Sequence, residues 1–278
     1  MHGIYGQLAY DFTKQTTANF NFRETWTEAD SAGNKYNRFT PEFILMHNLD
    51  DKTMVYGKVG KSFMMPTFSQ LYGGGNIIGA PWLKPSEGTH YEIGFKKNVG
   101  KNAWRVSLYQ YEIKDSIESH LEDVSQPDTE VTYSNEDIRN KGIELEWTRN
   151  QSENLAYHVG VSYSHPEKRG TSEKGEQIDW HDYYGRIGFN AGVNYTTGKL
   201  TTAFNLSYLG DRTRDYAPYE SLKAQLFSDL NFSYKVSDKS RFFLNIDNLF
   251  NRRDIISTSS SSFYSLGRNF MAGYEYKF

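Results

Sequence analysis

Segments of about ten residues in which apolar and polar side chains alternate recur along this chain, and that pattern limits what it can fold into. Successive residues of a strand point to opposite faces, so each segment has one greasy face and one polar or small face. From 264 to 278 the even positions are Tyr264, Leu266, Arg268, Phe270, Ala272, Tyr274, Tyr276 and Phe278, with Ser265, Gly267, Asn269, Met271, Gly273, Glu275 and Lys277 between them. Leu226, Leu230, Phe232 and Tyr234 alternate in the same way with Gln225, Asp229, Asn231 and Lys235. Phe204 and Leu206 alternate with Asn205 and Ser207, and Val159 and Val161 with His158, Gly160 and Ser162. Soluble strands usually run about five or six residues. Roughly nine to eleven tilted residues cross a bilayer.

About thirteen such segments are legible, near 3–12, 18–27, 38–48, 53–63, 89–97, 102–114, 138–149, 155–165, 183–195, 200–210, 222–236, 241–250 and 263–278. Their connections alternate between short (13–17, 49–52, 98–101, 151–154, 196–199, 237–240) and long (28–37, 64–88, 115–137, 166–182, 211–221, 251–262). Turns at one rim and large loops at the other define an up-and-down barrel. The greasy faces need a partner, and in lipid only a closed barrel satisfies every backbone group. The expected fold is therefore all-β, an antiparallel up-and-down transmembrane β-barrel. Trp26, Tyr91, Trp104, Trp147, Tyr195, Tyr234, Tyr274 and Phe278 lie near segment ends, where interfacial aromatic girdles sit. A soluble β-rich adhesion module is the alternative that keeps the strands but not the membrane.

Composition agrees. Mean hydropathy is −0.71 and no apolar run approaches the roughly 18 residues of a helical span. Aromatic residues make up 16% of the chain, too many for disorder. A formal net charge of −3 argues against a nucleic-acid partner. There is no cysteine, which excludes a disulfide framework and thiol catalysis. No Gly-x-Ser-x-Gly, His-Glu-x-x-His or phosphate-cradling motif is present, so no enzyme, catalytic residue or cofactor is expected. His165, His181, Asp179 and Asp182 share one connection, but solvated loop histidines account for them and no metal is expected. Residues Met1 to Tyr5 have neither the basic nor the apolar region of an export signal.

Five short motifs, in order, resemble the barrel domain of TonB-dependent outer-membrane receptors. They are Phe63-Met64-Met65-Pro66 with Leu71-Tyr72; Ala80-Pro81-Trp82-Leu83-Lys84-Pro85-Ser86-Glu87 with Tyr91-Glu92-Ile93-Gly94; Asn140-Lys141-Gly142-Ile143-Glu144; Asp247-Asn248-Leu249-Phe250-Asn251; and Gly267-Arg268-Asn269-Phe270 leading to Phe278. The sequence departs from the family's pattern at Met64-Met65, Ala80 and Ser86. Pro66 and Pro81 cannot donate to a ladder and mark where strands give way to loop. The resemblance implies a barrel of 22 strands with a plugged lumen. The whole chain, 1–278, then corresponds to roughly the last three-fifths of that barrel, and no plug domain or TonB-contacting segment is read in it. A C-terminal fragment or truncated frame is the expectation, with a smaller passive porin as alternative.

The resemblance also implies location and partners. These are the outer membrane of a Gram-negative-type bacterium, with its lipid and lipopolysaccharide; a plug domain and TonB; and the barrel-assembly machinery, which would read terminal Phe278. Glu92, Glu144 and Glu146 alternate with greasy neighbours and face the lumen, as plain solvated wall or as contacts to a plug. On the long connections Arg212, Arg214, Tyr216, Tyr219, Arg252, Arg253, Trp180 and His181 combine forked cations with aromatic faces. That mixture suits an anionic ferric siderophore, a ligand class common in the resembled family. Haem is disfavoured, because haem-uptake members place a His between the two proline motifs and 67–80 has none. Cobalamin and carbohydrate stay open.

Overall fold

The computed structural model describes residues 2–28, 35–121, 129–170, 177–214, 219–257 and 262–278. Its strands are β1 (His2–Asp11), β2 (Thr16–Trp26), β3 (Asn37–Asp50), β4 (Thr53–Met64), β5 (Ser86–Val99), β6 (Asn102–Leu121), β7 (Val131–Ser152), β8 (Leu155–Ser164), β9 (Glu167–Arg169), β10 (His181–Asp182), β11 (Tyr184–Thr197), β12 (Leu200–Thr213), β13 (Ser221–Leu222), β14 (Gln225–Ser237), β15 (Ser240–Asp247) and β16 (Asn269–Tyr276). One helix, α1 (Phe68–Tyr72), interrupts them. Hydrogen-bonded order follows chain order, β1-β2-β3-β4-β5-β6-β7-β8-β11-β12-β14-β15-β16, with β9, β10 and β13 off that path. The thirteen strands on the path match the thirteen segments read from the sequence. The ladders with a defined register are antiparallel throughout.

The chain divides into two compact units, Met1–Phe95 with Ser107–Gly142 and His165–Asp182, and Lys96–Val106 with Ile143–Ser164 and Tyr183–Phe278. In the second unit the register lines up the alternating faces. One row reads Tyr157, Val193, Phe204, Leu230, Ile246, Phe270; the next row on the opposite face reads Ala156, Asn194, Ala203, Asn231, Asn245, Met271. The first unit repeats the arrangement with Leu8, Phe20, Phe43 and Val59 in one row, and Asn21, Glu42 and Gly60 in another. A one-residue slip would exchange the faces, so agreement of the rows over several strands fixes the register.

Burial is inside-out for a water-soluble protein. Among the described residues the buried apolar set is Ala18, Leu71, Ala80, Leu83 and Ile138, while Leu8, Val59, Ile93, Val161, Phe242 and Phe270 stand exposed. Apolar patches of this extent on a soluble monomer would be an association or aggregation liability; against lipid tails they are the required surface.

The strands depart from the sequence reading where loops supply extra backbone partners. β7 runs from 131 rather than 138, and β6 reaches 121 rather than 114. β15 stops at Asp247 because Asn248 turns left-handed at φ 51°. β16 starts at Asn269 rather than 263, since Ser265 N–H donates to the Asp254 carbonyl and Arg268 N–H to Asn251 Oδ1. These groups are spent on the loop and leave nothing for a ladder.

The 64–88 connection contains the first unit's small core. Thr67 caps α1 through a reciprocal pair, Thr67 Oγ1 accepting from Gln70 N–H at 3.4 Å and Gln70 Oε1 accepting from Thr67 N–H at 2.8 Å. Leu71, Ala80 and Leu83 pack together with Tyr72, Ile117 and Tyr133 around them. Gly79 sits so close to the Leu71 and Tyr72 backbone that a Cβ would overlap it. The family-like stretch from Phe63 to Ser86 thus builds a folded connection: Ser86 Oγ donates to the Asp115 carbonyl, and Asn135 bonds Lys84 N–H, Lys84 C=O and Asp115 C=O.

Candidate functional site

The long connections carry the residues singled out for binding, and each unit holds its own in a different way. In the first unit, β9 adds to the edge of β7 with Asp137, Ile138 and Arg139 opposite Arg169, Lys168 and Glu167. Opposite charges face across this ladder. Arg139 engages Glu167 as a fork, Nε to Oε2 at 2.7 Å and Nη2 to Oε1 at 3.0 Å. Both Arg169 donors converge on Asp137 Oδ2 at 2.9 and 3.2 Å, and Lys168 Nζ lies 3.5 Å from Glu136 Oε2. The Trp180 ring contacts both guanidinium groups, 4.2 Å from Arg139 and 4.6 Å from Arg169. His181 follows on β10, half-buried, with Nδ1 3.4 Å from the Asp179 carbonyl. Burial is the main reason its imidazole titrates below 6.5.

Next to this ladder a cavity of about 200 Å³ is lined by Gln110, Glu112, Arg139, Asn140, Lys141, His165 and Glu167. His165 Nε2 lies 3.0 Å from Asp182 Oδ1, and ligand atoms of His165, Glu167 and Asp182 fall within 4.8 Å of one another. That donor set is one a divalent cation accepts. Arg139 already supplies the positive charge: its hydrogen bonds to Glu167 hold that carboxyl below its usual value. The sequence reading grouped His165 with His181, and the fold brings Glu167 to His165 instead.

In the second unit the two Arg pairs do not present four open guanidinium groups. Arg212 is 2% exposed and donates to the Lys223 and Ile255 carbonyls at 3.0 and 2.7 Å. Arg214 is buried too and donates to Ser262 Oγ at 2.9 Å, with Glu220 4.0 Å away. Arg252 is half-exposed and clamps Asp254 through Nε and Nη2 at 2.8 to 3.2 Å. Burial alone would raise the Asp254 carboxyl, but the Arg252 guanidinium, the Leu226 N–H and the charge of Arg212 outweigh it and hold the group below 3.8. Arg253 is exposed, and Tyr219 is half-buried in the left-handed region at φ 58°. Tyr216 lies outside the described residues.

The motif Asp247-Asn248-Leu249-Phe250-Asn251 organises this connection. Asn248 Nδ2 donates to the Arg252 and Leu266 carbonyls at 2.6 and 2.7 Å, and its Oδ1 accepts from Arg252 N–H at 3.0 Å. Asn248 and Asn251 both take positive φ, which Asn tolerates better than other side chains.

Among the acidic residues expected to face the lumen, Glu92 accepts from Tyr56 Oη at 2.5 Å and lies 2.9 Å from Lys58 Nζ. The Tyr56 ring covers Gly94, where a Cβ would overlap it. Glu146 reaches Arg105 at 3.4 Å, and Glu144 is half-buried two residues away on the same face.

Long antiparallel strands with an exposed apolar row, short turns at one end and folded connections at the other are the features of an outer-membrane β-barrel of the receptor type. The chain belongs to the TonB dependent receptor-like β-barrel family, whose model matches residues 1–249. It is 26% identical over 246 residues to the vitamin B12 transporter BtuB of Photobacterium profundum, covering 86% of this chain and 38% of that protein. It is 23% identical over 274 residues to an iron-regulated outer membrane virulence protein of Vibrio cholerae, covering 90% and 41%. Among solved structures, the ferric enterobactin receptor PfeA of Pseudomonas aeruginosa superposes with a TM-score of 0.71 at 16% identity, over 99% of this chain and 45% of that one. The chain spans about two-fifths of the length of the curated relatives it matches. The family is one of outer-membrane receptors and transporters rather than enzymes.

Proposed function

We propose that this chain forms the C-terminal part of the barrel wall of a TonB-dependent receptor that takes up a scarce nutrient, a ferric siderophore above all. The family match over 1–249 carries the receptor class. The exposed guanidinium groups of Arg252 and Arg253 favour an anionic cargo over cobalamin or a sugar, and one structural neighbour is a ferric enterobactin receptor. Glu92, Glu144 and Glu146 meet a plug domain on the polar face, TonB drives release, and lipopolysaccharide surrounds the loop rim. The barrel-assembly machinery reads Phe278.

Within the candidate set the residues divide by role. Arg253 with Tyr219 contacts cargo, and Arg252 joins them when it leaves Asp254. Arg212 and Arg214 shape the connections that hold those contacts, and Trp180 and His181 shape the first unit's own long connection. Equilibrium binding of a ferric siderophore to the complete receptor tests this. A partly desolvated Arg bonded to an anionic oxygen contributes about 1.5–3 kcal/mol, so Arg253→Ala should weaken binding at least tenfold. Exposed charge contacts contribute under about 1 kcal/mol. Binding within twofold of wild type for both Arg252→Ala and Arg253→Ala would place the cargo elsewhere.

A further inference from the structure

Where β12, β14, β15 and β16 approach their short turns, one hydrogen-bonded row reads Lys199, Lys235, Arg241, Glu275. Lys235 N–H donates to the Lys199 carbonyl at 2.8 Å, Lys235 pairs directly with Arg241, and Arg241 with Glu275. Lys277 N–H donates to the Lys239 carbonyl at 2.7 Å one step further on. Like charges directly opposite one another in a ladder are destabilising, and here three cations are neighbours.

Local carboxylates offset this only in part. Arg241 gives both its donors to Glu275 Oε2, at 3.0 and 2.7 Å. Lys235 reaches Asp238 at 2.7 Å, but that carboxylate is 95% exposed. Lys199 Nζ donates to the Val236 carbonyl at 3.0 Å, and Lys239 and Lys277 have no ion-pair partner among the described residues. Five cations and two carboxylates line this cavity of about 330 Å³. The corresponding turns of the first unit carry Asp11, Asp50 and Asp51 beside Lys14 and Lys52, so a basic rim is not a general property of the turns.

The cavity continues along the same polar face into one of about 470 Å³, sharing Thr201, Ser233, Arg241 and Glu275. There Asn231 and Asn245 offer amides beside Phe243 and Met271. From Ser237 to Asn231 the groove runs about 20 Å, the length of six extended residues. A single phosphate would occupy only its rim. Tyr234, Phe242 and Tyr274 form the apolar row on the opposite face, which is where lipid headgroups would gather.

We propose that this groove docks an acidic polypeptide segment in extended form, its carboxylates on Lys199, Lys235, Lys239 and Lys277 and its backbone along Asn231 and Asn245. The proposal rests on the polar face being the lumen face of a barrel, and it gives the lumen-side partner a charge and a place.

The test uses the full chain in detergent and a fluorescein-labelled peptide of six Glu-Gly repeats, followed by anisotropy. Binding should weaken as salt rises, and Lys235→Gln with Lys277→Gln should weaken it about five- to tenfold. Lys52→Gln, on a first-unit turn, should stay within twofold. Should the double variant lose its heat-modifiable gel band, Lys199→Gln with Lys239→Gln repeats the measurement. Equal affinity of the variants and wild type would overturn the proposal. So would displacement by inorganic phosphate at the concentration of the peptide, or dependence of phosphatidylglycerol vesicle binding on the same lysines. Absence of a heat-modifiable band from the complete receptor would instead refute the barrel reading, whatever the peptide does.

Discussion

The connection between β8 and β11 and the connection between β15 and β16 are both long, and they differ in what organises them. The first is clamped by side chains: the Arg139–Glu167 fork, Arg169 on Asp137, and an indole in contact with both guanidinium groups. The second has an ion pair of its own, Arg252 on Asp254, but is organised by one buried amide, with Asn248 alone making three hydrogen bonds to residues 252 and 266. Half-exposed ion pairs are screened by salt and replaceable by water, whereas a buried amide has no substitute partner when it is lost. Charge in a loop therefore does not identify a binding surface. The most conspicuous Arg residues of the second unit's long connections, Arg212 and Arg214, are buried structural donors.

The largest effect that would break this contrast is at Asn248. Asn248→Ala leaves the Leu266 carbonyl and the Arg252 N–H without their partner, leaves the Arg252 carbonyl only the Ser265 hydroxyl at 3.3 Å, and puts Ala in the left-handed region. Local opening of 248–268 should become easier by about 2–4 kcal/mol, read as faster amide exchange at Arg252 and Ser265. Asn248→Gly should recover only the backbone part. Exchange rates unchanged in the Ala variant would show that the amide clamp is not what holds the loop.

Trp180→Ala comes next. It removes two cation–π contacts, each about 0.5–2 kcal/mol, and should free β9 and β10 from β7 without touching the second connection. Faster exchange at Lys168 and Arg169, or new proteolytic nicking between 166 and 182, checks it. Arg139→Lys should cost about 1 kcal/mol at the same strands, because an ammonium cannot reproduce the fork on Glu167.

Solution conditions sharpen the contrast with smaller shifts. Raising salt from about 0.01 M to about 1 M should loosen the β7–β9 ladder and leave the Asn248 clamp unchanged. Acid acts on the second connection through Asp254. Its carboxyl is depressed below 3.8 in the folded chain, so its stabilisation is fully present above the unfolded value and is lost as pH falls through the lower folded one. Exchange at Leu226, whose N–H donates to Asp254 Oδ2, should thus be flat near neutrality and rise, beyond its intrinsic pH dependence, only below about pH 4. Loss of protection between pH 5 and 7 would point to a histidine instead.

The sequence disclosed faces better than partners. Alternation placed Phe204, Leu230 and Val159 on one side and Asn205, Asn231 and Gly160 on the other, and the ladders join them row by row. Period two reports direction at each residue, so it fails only where direction stops alternating, as at Asn248, and where a loop adds its own ladder. The complementary runs Asp137-Ile138-Arg139 and Glu167-Lys168-Arg169 were the available signal for β9, and reading them antiparallel would have paired their charges. No comparable signal announces the burial of Arg212. Its partners are the Lys223 and Ile255 carbonyls, a group that every residue has.

A barrel wall with its apolar rows toward lipid rests on one contrast, between neighbours on β14. Spin labels placed singly at Leu230, Phe232, Asp229 and Asn231 of the chain in bilayers can be probed with oxygen and with a water-soluble relaxant. Labels at Leu230 and Phe232 should favour oxygen, while those at Asp229 and Asn231 favour the polar relaxant, with the period of two unbroken along the strand. Equal access at all four sites, or polar access at Leu230, would contradict a lipid-facing row.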